Sequence, residues 1–376
     1  MNILRRQWNA KRAVLESARE VRTLTGKSVV SQLRELARLR FGPGKLTAED
    51  YVLAGVYDDT RYSPAAKQQV LSWHPSRLAR ALNDSTWSAL CHDKLAFYSF
   101  LKGLDLPFPT VYAAYAPQVR SCGAIPMLGS TEAVASFIRN GIPYPFFGKP
   151  IFGQFGGGAS SVVAREPGTD RLTFTTGETV GVDDYVRDHV STSRRGYLFQ
   201  EPIRQLPAVD RLTGGRAGTL RMVVLRYDDG PRLFRVVWRV PVGRNITDNF
   251  QHGAQGNLLA DIDPASGRVV RVVQALPPVK GRVQLPTELQ RHPDTGEQLL
   301  GVTLPSWDEH VALCLRAAAA FTGLRYQSWD VVMGADGPML LEINFRGSID
   351  VIQIPGSNGF FDAEFREFWQ RYARSN

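Results

Sequence analysis

Residues 328–344 read SWDVVMGADGPMLLEIN, two apolar runs joined by a tight turn, with Asp330 inside the first run and Glu342 inside the second. Runs of this length around a turn dipeptide, here Asp336-Gly337, read as a β-hairpin. Burying a carboxylate is expensive unless a counter-charge or hydrogen bonds compensate it. A fold that buries this hairpin must therefore bring a compensating partner to it. Alternation by two places Glu342 and Asn344 on one face, with Asp330 on the neighbouring strand. Two carboxylates and an amide are oxygen ligands that suit Mg²⁺, an ion that keeps waters and also takes phosphate oxygens. The competing reading is a pair of solvated strand carboxylates. Arg346 follows at once, placed to contact a phosphoryl group or to neutralise Glu342.

The rest of the chain extends an α+β pattern. TLRMVVLRYDDGPRLFRVVWRVPV (219–242) is a second hairpin, with Val- and Leu-rich runs around Asp229-Gly230. LPFPTVYAAY reads as a strand, and TEAVASFIRNG (131–141) as a helix capped by Ser130 or Thr131 and stopped by Gly141. HVALCLRAAAAFTG is a helix ended by Gly323, and the last segment puts Phe361, Phe365, Phe368 and Tyr372 on one packing face. Residues 1–90 read as mostly helical. There Val29, Val30, Leu33, Leu36, Ala37 and Leu39 form an apolar stripe, with Arg34, Arg38 and Arg40 largely opposite. FGPGKL (41–46) breaks that helix, and a second helical region runs from about Thr47 to Leu82. The stripe is expected to pack on the following domain, the alternative being peripheral contact with a membrane surface. The chain thus divides into a helical region (1–90), a small lobe with lead-in helix and glycine-rich loop (91–197), and a large lobe with the carboxylate hairpin and C-terminal helix (198–376).

A phosphate signal lies in PFFGKPIFGQFGGGASSVVAR. A strand presents Lys149, and a loop with Gly153, Gly156, Gly157 and Gly158 leads to Ser160 and Ser161. Glycines let backbone N–H groups approach an anion closely, and the lysine neutralises phosphate charge. The alternative is a plain flexible hairpin loop. The loop is neither GxGxxG nor a Walker loop. TGKS at 25–28 is set aside too, because Val21 stands where a P-loop needs glycine and no strand precedes it.

Lysine and arginine number 45 against 36 acids, a net charge of +9, yet no run of five basic residues and no basic–aromatic module occurs. That excludes nucleic acid as the expected partner and keeps anionic small molecules. Cys91, Cys122 and Cys314 are scattered without CxxC spacing, which points to neither a zinc site nor a disulfide framework. No segment has the length and apolarity of a membrane span, and the N-terminus lacks a secretory pattern, so a cytoplasmic protein is expected.

Lys94 at the helix start HDKLAF, Lys149 ahead of the glycine loop, QEPIRQ at 200–205 and the D…ExN set follow in a telling order. Together they resemble the ATP-grasp superfamily, and closer still the sugar-transfer-associated ATP-grasp family, over roughly residues 40–360. The strings QEPIRQLPAVDRLTGGRAGTLRMVVL, NFQHGAQGNLLADIDPASGRV and SWDVVMGADGPMLLEINFRGSIDVIQ carry that likeness. The resemblance implies two α+β lobes gripping ATP. It implies that Lys94 and Lys149 contact phosphates under the closing 153–161 loop, that Gln200, Glu201 and Ile203 line adenine, and that Asp330, Glu342 and Asn344 hold Mg²⁺. Arg221 would face the reacting phosphate, and Asn249 and His252 would lie over nucleotide and acceptor. The implied activity is a carboxylate–amine ligase working through an acylphosphate in polysaccharide or natural-product biosynthesis, with small anionic substrates. Phosphotransfer to a hydroxyl and a non-catalytic nucleotide-binding role beside a glycosyltransferase are the alternatives. Two departures, NFRGSID without the family's proline and the bulky Phe155, fall where the acceptor pocket would be shaped.

Overall fold

The computed structural model describes residues 15–72, 76–118, 121–123, 125–153, 157–250, 253–274, 286–347, 349–356 and 359–374. Among them, two seven-stranded sheets carry the fold. The first contains β1 (Val111–Tyr115), β2 (Met127–Leu128), β3 (Phe146–Pro150), β4 (Ser160–Arg165), β5 (Arg171–Phe174), β6 (Thr179–Gly181) and β7 (Tyr197–Gln200). Its spatial order is β2-β1-β7-β3-β4-β5-β6. The second contains β8 (Thr219–Tyr227), β9 (Gly230–Val240), β10 (Leu258–Ile262), β11 (Val269–Gln274), β12 (Thr287–Glu288), β13 (Tyr326–Gly334) and β14 (Gly337–Ile343). Its order is β12-β11-β10-β9-β8-β13-β14. Neighbours are antiparallel throughout except β1 with β2.

The second sheet is covered on both faces, which is why its central strands read as nearly continuous apolar runs. Leu220, Met222 and Val224 of β8 enter a core with Leu313, Cys314 and Ala317 of the helix Trp307–Ala320. Val223 and Leu225, on the opposite face, join Leu78, Leu82, Ile352, Phe365 and Phe368. Those come from the helices Ser76–Leu82, Ile349–Gln353 and Ala363–Tyr372. Period-two alternation carries that second face back to Thr219 and Arg221, where it turns polar. In the first sheet, Phe146, Val162, Tyr197 and Phe199 pack against Val134 and Ile138 of the helix Thr131–Asn140. Ser130 caps that helix by accepting from Ala133 N at 3.1 Å, and Gly141 ends it, as the sequence indicates.

Several expectations shift. Registers Tyr227↔Gly230 and Gly334↔Gly337 make the hairpin turns Asp228-Asp229 and Ala335-Asp336, one residue earlier than read from the sequence. Each glycine, at φ 141° and 116°, opens the returning strand instead. The helix Trp307–Ala320 stops at Phe321, not at Gly323. Gly323 serves close approach, since a Cβ there would lie 2.1 Å from Trp87 Nε1.

The N-terminal region forms helices at 15–25, Val29–Phe41, Ala48–Leu53, Pro64–Gln69 and Ser76–Leu82. The helical region expected from about Thr47 to Leu82 consists of three short helices. Val21, Leu39, Leu46, Tyr51, Tyr57 and Tyr62 close a small core of their own. The apolar stripe of Val29–Phe41 does not pack as expected: Leu39 is buried, but Val30 and Leu33 face solvent. Lys27, from TGKS, pairs with Glu35 at 2.5 Å and Asp59 at 2.9 Å, and Lys67 joins them, so it belongs to an ion-pair network. The side chain of Gln353 ties this region to the second sheet's far cover. It accepts from Leu71 N at 2.7 Å and donates to Leu71 O at 2.8 Å. Among the described residues no helix is long and apolar enough to cross a membrane.

Candidate functional site

The polar patch of the second sheet is assembled by register. Asp330 pairs with Arg221 on β8 and with Glu342 on β14, and Thr219 pairs with Arg239 on β9. A straight hairpin continued from Gly334↔Gly337 would set Asp330 opposite Leu341. The register instead shifts between Asp330 and Val331, so Leu341 is the extra residue of a β-bulge and Glu342 faces Asp330.

Asp330 is 2% exposed and is held by two arginines. Arg221 donates from Nε to Oδ1 at 2.6 Å and from Nη2 to Oδ2 at 3.3 Å. Arg239 donates from Nη2 to Oδ2 at 2.9 Å. Burial opposes ionisation of Asp330, but the two guanidiniums prevail and hold its carboxyl below the usual aspartate range. Arg239 also donates from Nε to Thr219 Oγ1 at 3.0 Å and lies 3.3 Å from Asp248. Asp248 accepts from Thr219 N at 2.8 Å, and burial outweighs Arg239 to push its carboxyl up.

The first sheet supplies the facing wall. Alternation along β3 turns Phe147 and Lys149 toward the cavity and Gly148 toward the lobe's own core. Lys149 donates to Tyr98 Oη at 2.9 Å, and that hydroxyl donates to Leu341 O at 3.0 Å. Burial, with Lys94 nearby, lowers the Lys149 ammonium to about 7, against the pull of Glu342. Lys94 starts the helix Lys94–Gly103 behind its cap Asp93, and its Nζ donates to Gly153 O at 3.2 Å and lies 3.7 Å from Glu342 Oε2. Gln200 ends β7 with Nε2 on Glu201 O at 3.3 Å and a buried Oε1 that has no partner.

Lys94, Lys149, Gln200, Thr219, Arg239, Asp248, Asp330 and Glu342 line one cavity of about 750 Å³, with walls from both sheets. Of the residues expected from sequence, Lys94, Lys149, Gly153, Gly157, Gln200, Ile203, Asn249, Asp330 and Glu342 line it. Others take different places. Ser160 is buried with its Oγ between the hydroxyls of Tyr185 and Tyr197, at 2.8 and 3.0 Å, and Ser161, one residue on, lines the cavity instead. Gly158 (φ 76°) accepts from Tyr197 Oη through its carbonyl. Glu201 accepts from Thr110 N at 2.7 Å, away from the cavity. Arg221 sits behind Asp330, with one buried nitrogen unpartnered. Asn344 is fixed by its backbone N–H to Ser328 O at 2.7 Å and keeps a buried, unpartnered Nδ2. Arg346 is exposed and does not line the cavity. Gly156, His252 and Phe155 lie outside the described residues.

The sequence reading missed Arg239, Thr219, Asp248 and Tyr98. Arg239 carried a signal: like Arg221, it interrupts an apolar strand run, in VVWRVPV. Tyr98 looks like ordinary helix packing until the lobes are placed together.

The oxygen donors fit Mg²⁺ with a clear division. Asp330 offers about four lone-pair sites, most of them taken by the arginines. Glu342 is the carboxylate left open to the cavity. Among the described residues no three acidic, histidine or cysteine side chains converge. A cation here would therefore rely on water and phosphate oxygens for the rest of its shell. At the other end, the orphaned Gln200 acceptor suits a base carrying an exocyclic amino group.

The sequence profile of a family described as sugar-transfer associated ATP-grasp matches residues 74–366. No curated protein matches. Among solved structures, the VanG D-Ala:D-Ser ligase of Enterococcus faecalis is similar at TM-score 0.40 and 12% identity, over 83% of this chain and 63% of that one. Biotin carboxylase of Campylobacter jejuni gives TM-score 0.40 and 12% identity over 71% of this chain and 43% of that one. An L-amino acid ligase of Bacillus licheniformis gives 0.36 and 12%, over 69% and 41%. The chain thus spans between 41% and 63% of the length of these three.

Proposed function

The chain belongs to the sugar-transfer associated ATP-grasp family, and from the geometry of its cavity we propose that it is an ATP-dependent carboxylate–amine ligase. The observation that carries this reading is the pairing across one cavity of Lys94 and Lys149 from one side with Glu342 and Asp330 from the other. A carboxylate is a poor electrophile, so joining it to an amine requires activation, here by phosphorylation with ATP's terminal phosphoryl group to an acylphosphate, from which the amine displaces phosphate. Mg²⁺, held by Glu342 and Asp330 with Asn344 behind them, would neutralise phosphate oxygens during transfer.

The chain's own groups do the rest. Lys94 and Lys149 bind the negative charge of the triphosphate, and the backbone N–H groups near Gly153 and Gly157 add donors. Arg221 and Arg239 keep Asp330 ionised and fixed, so it needs no rearrangement when the nucleotide enters. Gln200 orients the adenine by accepting from its amino group. Closure of the glycine-rich wall over the phosphates excludes water from an intermediate that would otherwise hydrolyse. The substrates are small anions and amines, in polysaccharide or natural-product biosynthesis.

The test is acceptor-dependent release of ADP and phosphate from pooled amino acids and acidic sugars, with the product's mass determined. The reading requires an amide product and loss of turnover in Glu342→Ala. A stable phosphorylated product without free phosphate would make the protein a phosphotransferase acting on a hydroxyl. Nucleotide binding with no ADP formed would make it a non-catalytic partner.

A further inference from the structure

The helix Val29–Phe41 turns an apolar stripe outward. Val30, Leu33, Ala37 and Phe41 recur at helical spacing on one face, and Val30 is 57%, Leu33 46% and Phe41 82% exposed. Arg34 and Arg38 border that stripe on one side and Arg40 on the other, all three exposed. The helix carries one acid, Glu35, and it faces inward, bonded to Lys27, Lys67 and Tyr51. Among the described residues none of the three arginines has a carboxylate partner, and Arg40 Nη1 donates to the carbonyl of Lys45 at 3.0 Å. The preceding residues 1–14 add Arg5, Arg6, Lys11 and Arg12 and no acid.

We propose that this outward face of Val29–Phe41 docks on an anionic phospholipid surface, with Val30, Leu33 and Phe41 in the acyl boundary and the arginines at the phosphates. An in-plane helix of this kind combines an apolar stripe with flanking cations, and both terms add. Charge selects the occupant. A second copy of this helix would oppose arginine to arginine, whereas a bilayer of acidic lipid supplies both an apolar layer and the counter-charge.

The full chain is sedimented with vesicles of phosphatidylcholine alone and of equal parts phosphatidylcholine and phosphatidylglycerol. The proposal expects binding to the acidic vesicles at least about tenfold stronger than to the neutral ones, weakened by salt. Val30→Glu with Phe41→Glu, and separately Arg34→Gln with Arg38→Gln, should abolish or sharply reduce it. Circular dichroism and nucleotide binding show that each variant is folded. Failure to sediment with either vesicle overturns the proposal, as does equal sedimentation of the folded variants. A dimer by size exclusion that Phe41→Glu dissolves also overturns it, because the stripe would then be an interface between copies.

Discussion

Arg239 reaches across β8 to a carboxylate two strands away, placing Nη2 2.9 Å from Oδ2 of Asp330, whose Oδ1 is already held by Arg221. The counter-charge that the apolar hairpin demands is thus built into the sheet itself.

Removing one arginine leaves a buried carboxylate short of partners. Arg239→Ala should destabilise the fold by about 3–5 kcal/mol, the range for breaking a buried pair on one side, read as a shift in urea midpoint. The pH dependence has a definite sign. Asp330 has a lowered folded pKa, so its contribution is complete above the ordinary aspartate value of ~3.9 and disappears as pH falls through the folded value. Stability profiles of the wild type and Asp330→Asn should diverge in slope only in that acid window.

With Lys149 at the phosphates as proposed, nucleotide binding should be pH-dependent in the opposite region. With its ammonium lowered to about 7, the free protein holds it largely neutral at pH 8, and an arriving phosphate favours the charged form. Binding should therefore take up close to one proton per nucleotide at roughly pH 8 and little at pH 6. Calorimetry in buffers of different ionisation enthalpy measures this, and Lys149→Gln should abolish the uptake. Constant proton uptake from pH 6 to 8 would contradict the assignment.

Gly148 leaves no room for a side chain. A Cβ there would lie 2.6 Å from the Tyr197 ring, 2.7 Å from Tyr185 Oη and 2.8 Å from Ser160 Oγ. Gly148→Ala should cost about 1–3 kcal/mol by overpacking. It should also weaken nucleotide binding, because the displaced strand is the one presenting Lys149. Thermal melts with and without ATP separate the two effects.

Gln200 should set base preference. Its unpartnered Oε1 would, in the proposed function, accept from adenine's amino group, whereas guanine presents a carbonyl at the equivalent position. Competition binding should favour ATP over GTP by at least about tenfold, and Gln200→Leu should erase most of the difference. An unchanged ratio would place the base elsewhere.

Much of this architecture could be read directly, and the failures share one physical origin. Helix caps and hairpins are local: Ser130 beside Ala133, or a glycine after two turn residues, needs nothing distant. The bulge at Leu341 was invisible because no composition rule marks one extra residue in an apolar strand. Only the partner strand shows it. Ser160 and Ser161 are not told apart in the sequence for a similar reason, since a one-residue step reverses the face and the glycine loop hides the strand's start. Arg239 and Tyr98 act through residues 91 and 51 positions away, beyond any spacing motif. The Val29–Phe41 stripe misled because periodicity reports that a face is apolar, not that the protein covers it.

The clasp between Gln353 and Leu71 joins residues 282 apart. During synthesis Leu71 emerges long before the segment that completes it, and the second core stays open along one face of β8 and β9 until then. The large lobe therefore cannot finish folding before residue 353 has left the ribosome. Closure over such a span is slow, because the loop must be ordered before its contacts form. Until then the Val- and Leu-rich strands lack that cover, the condition under which a partly folded chain is prone to aggregate.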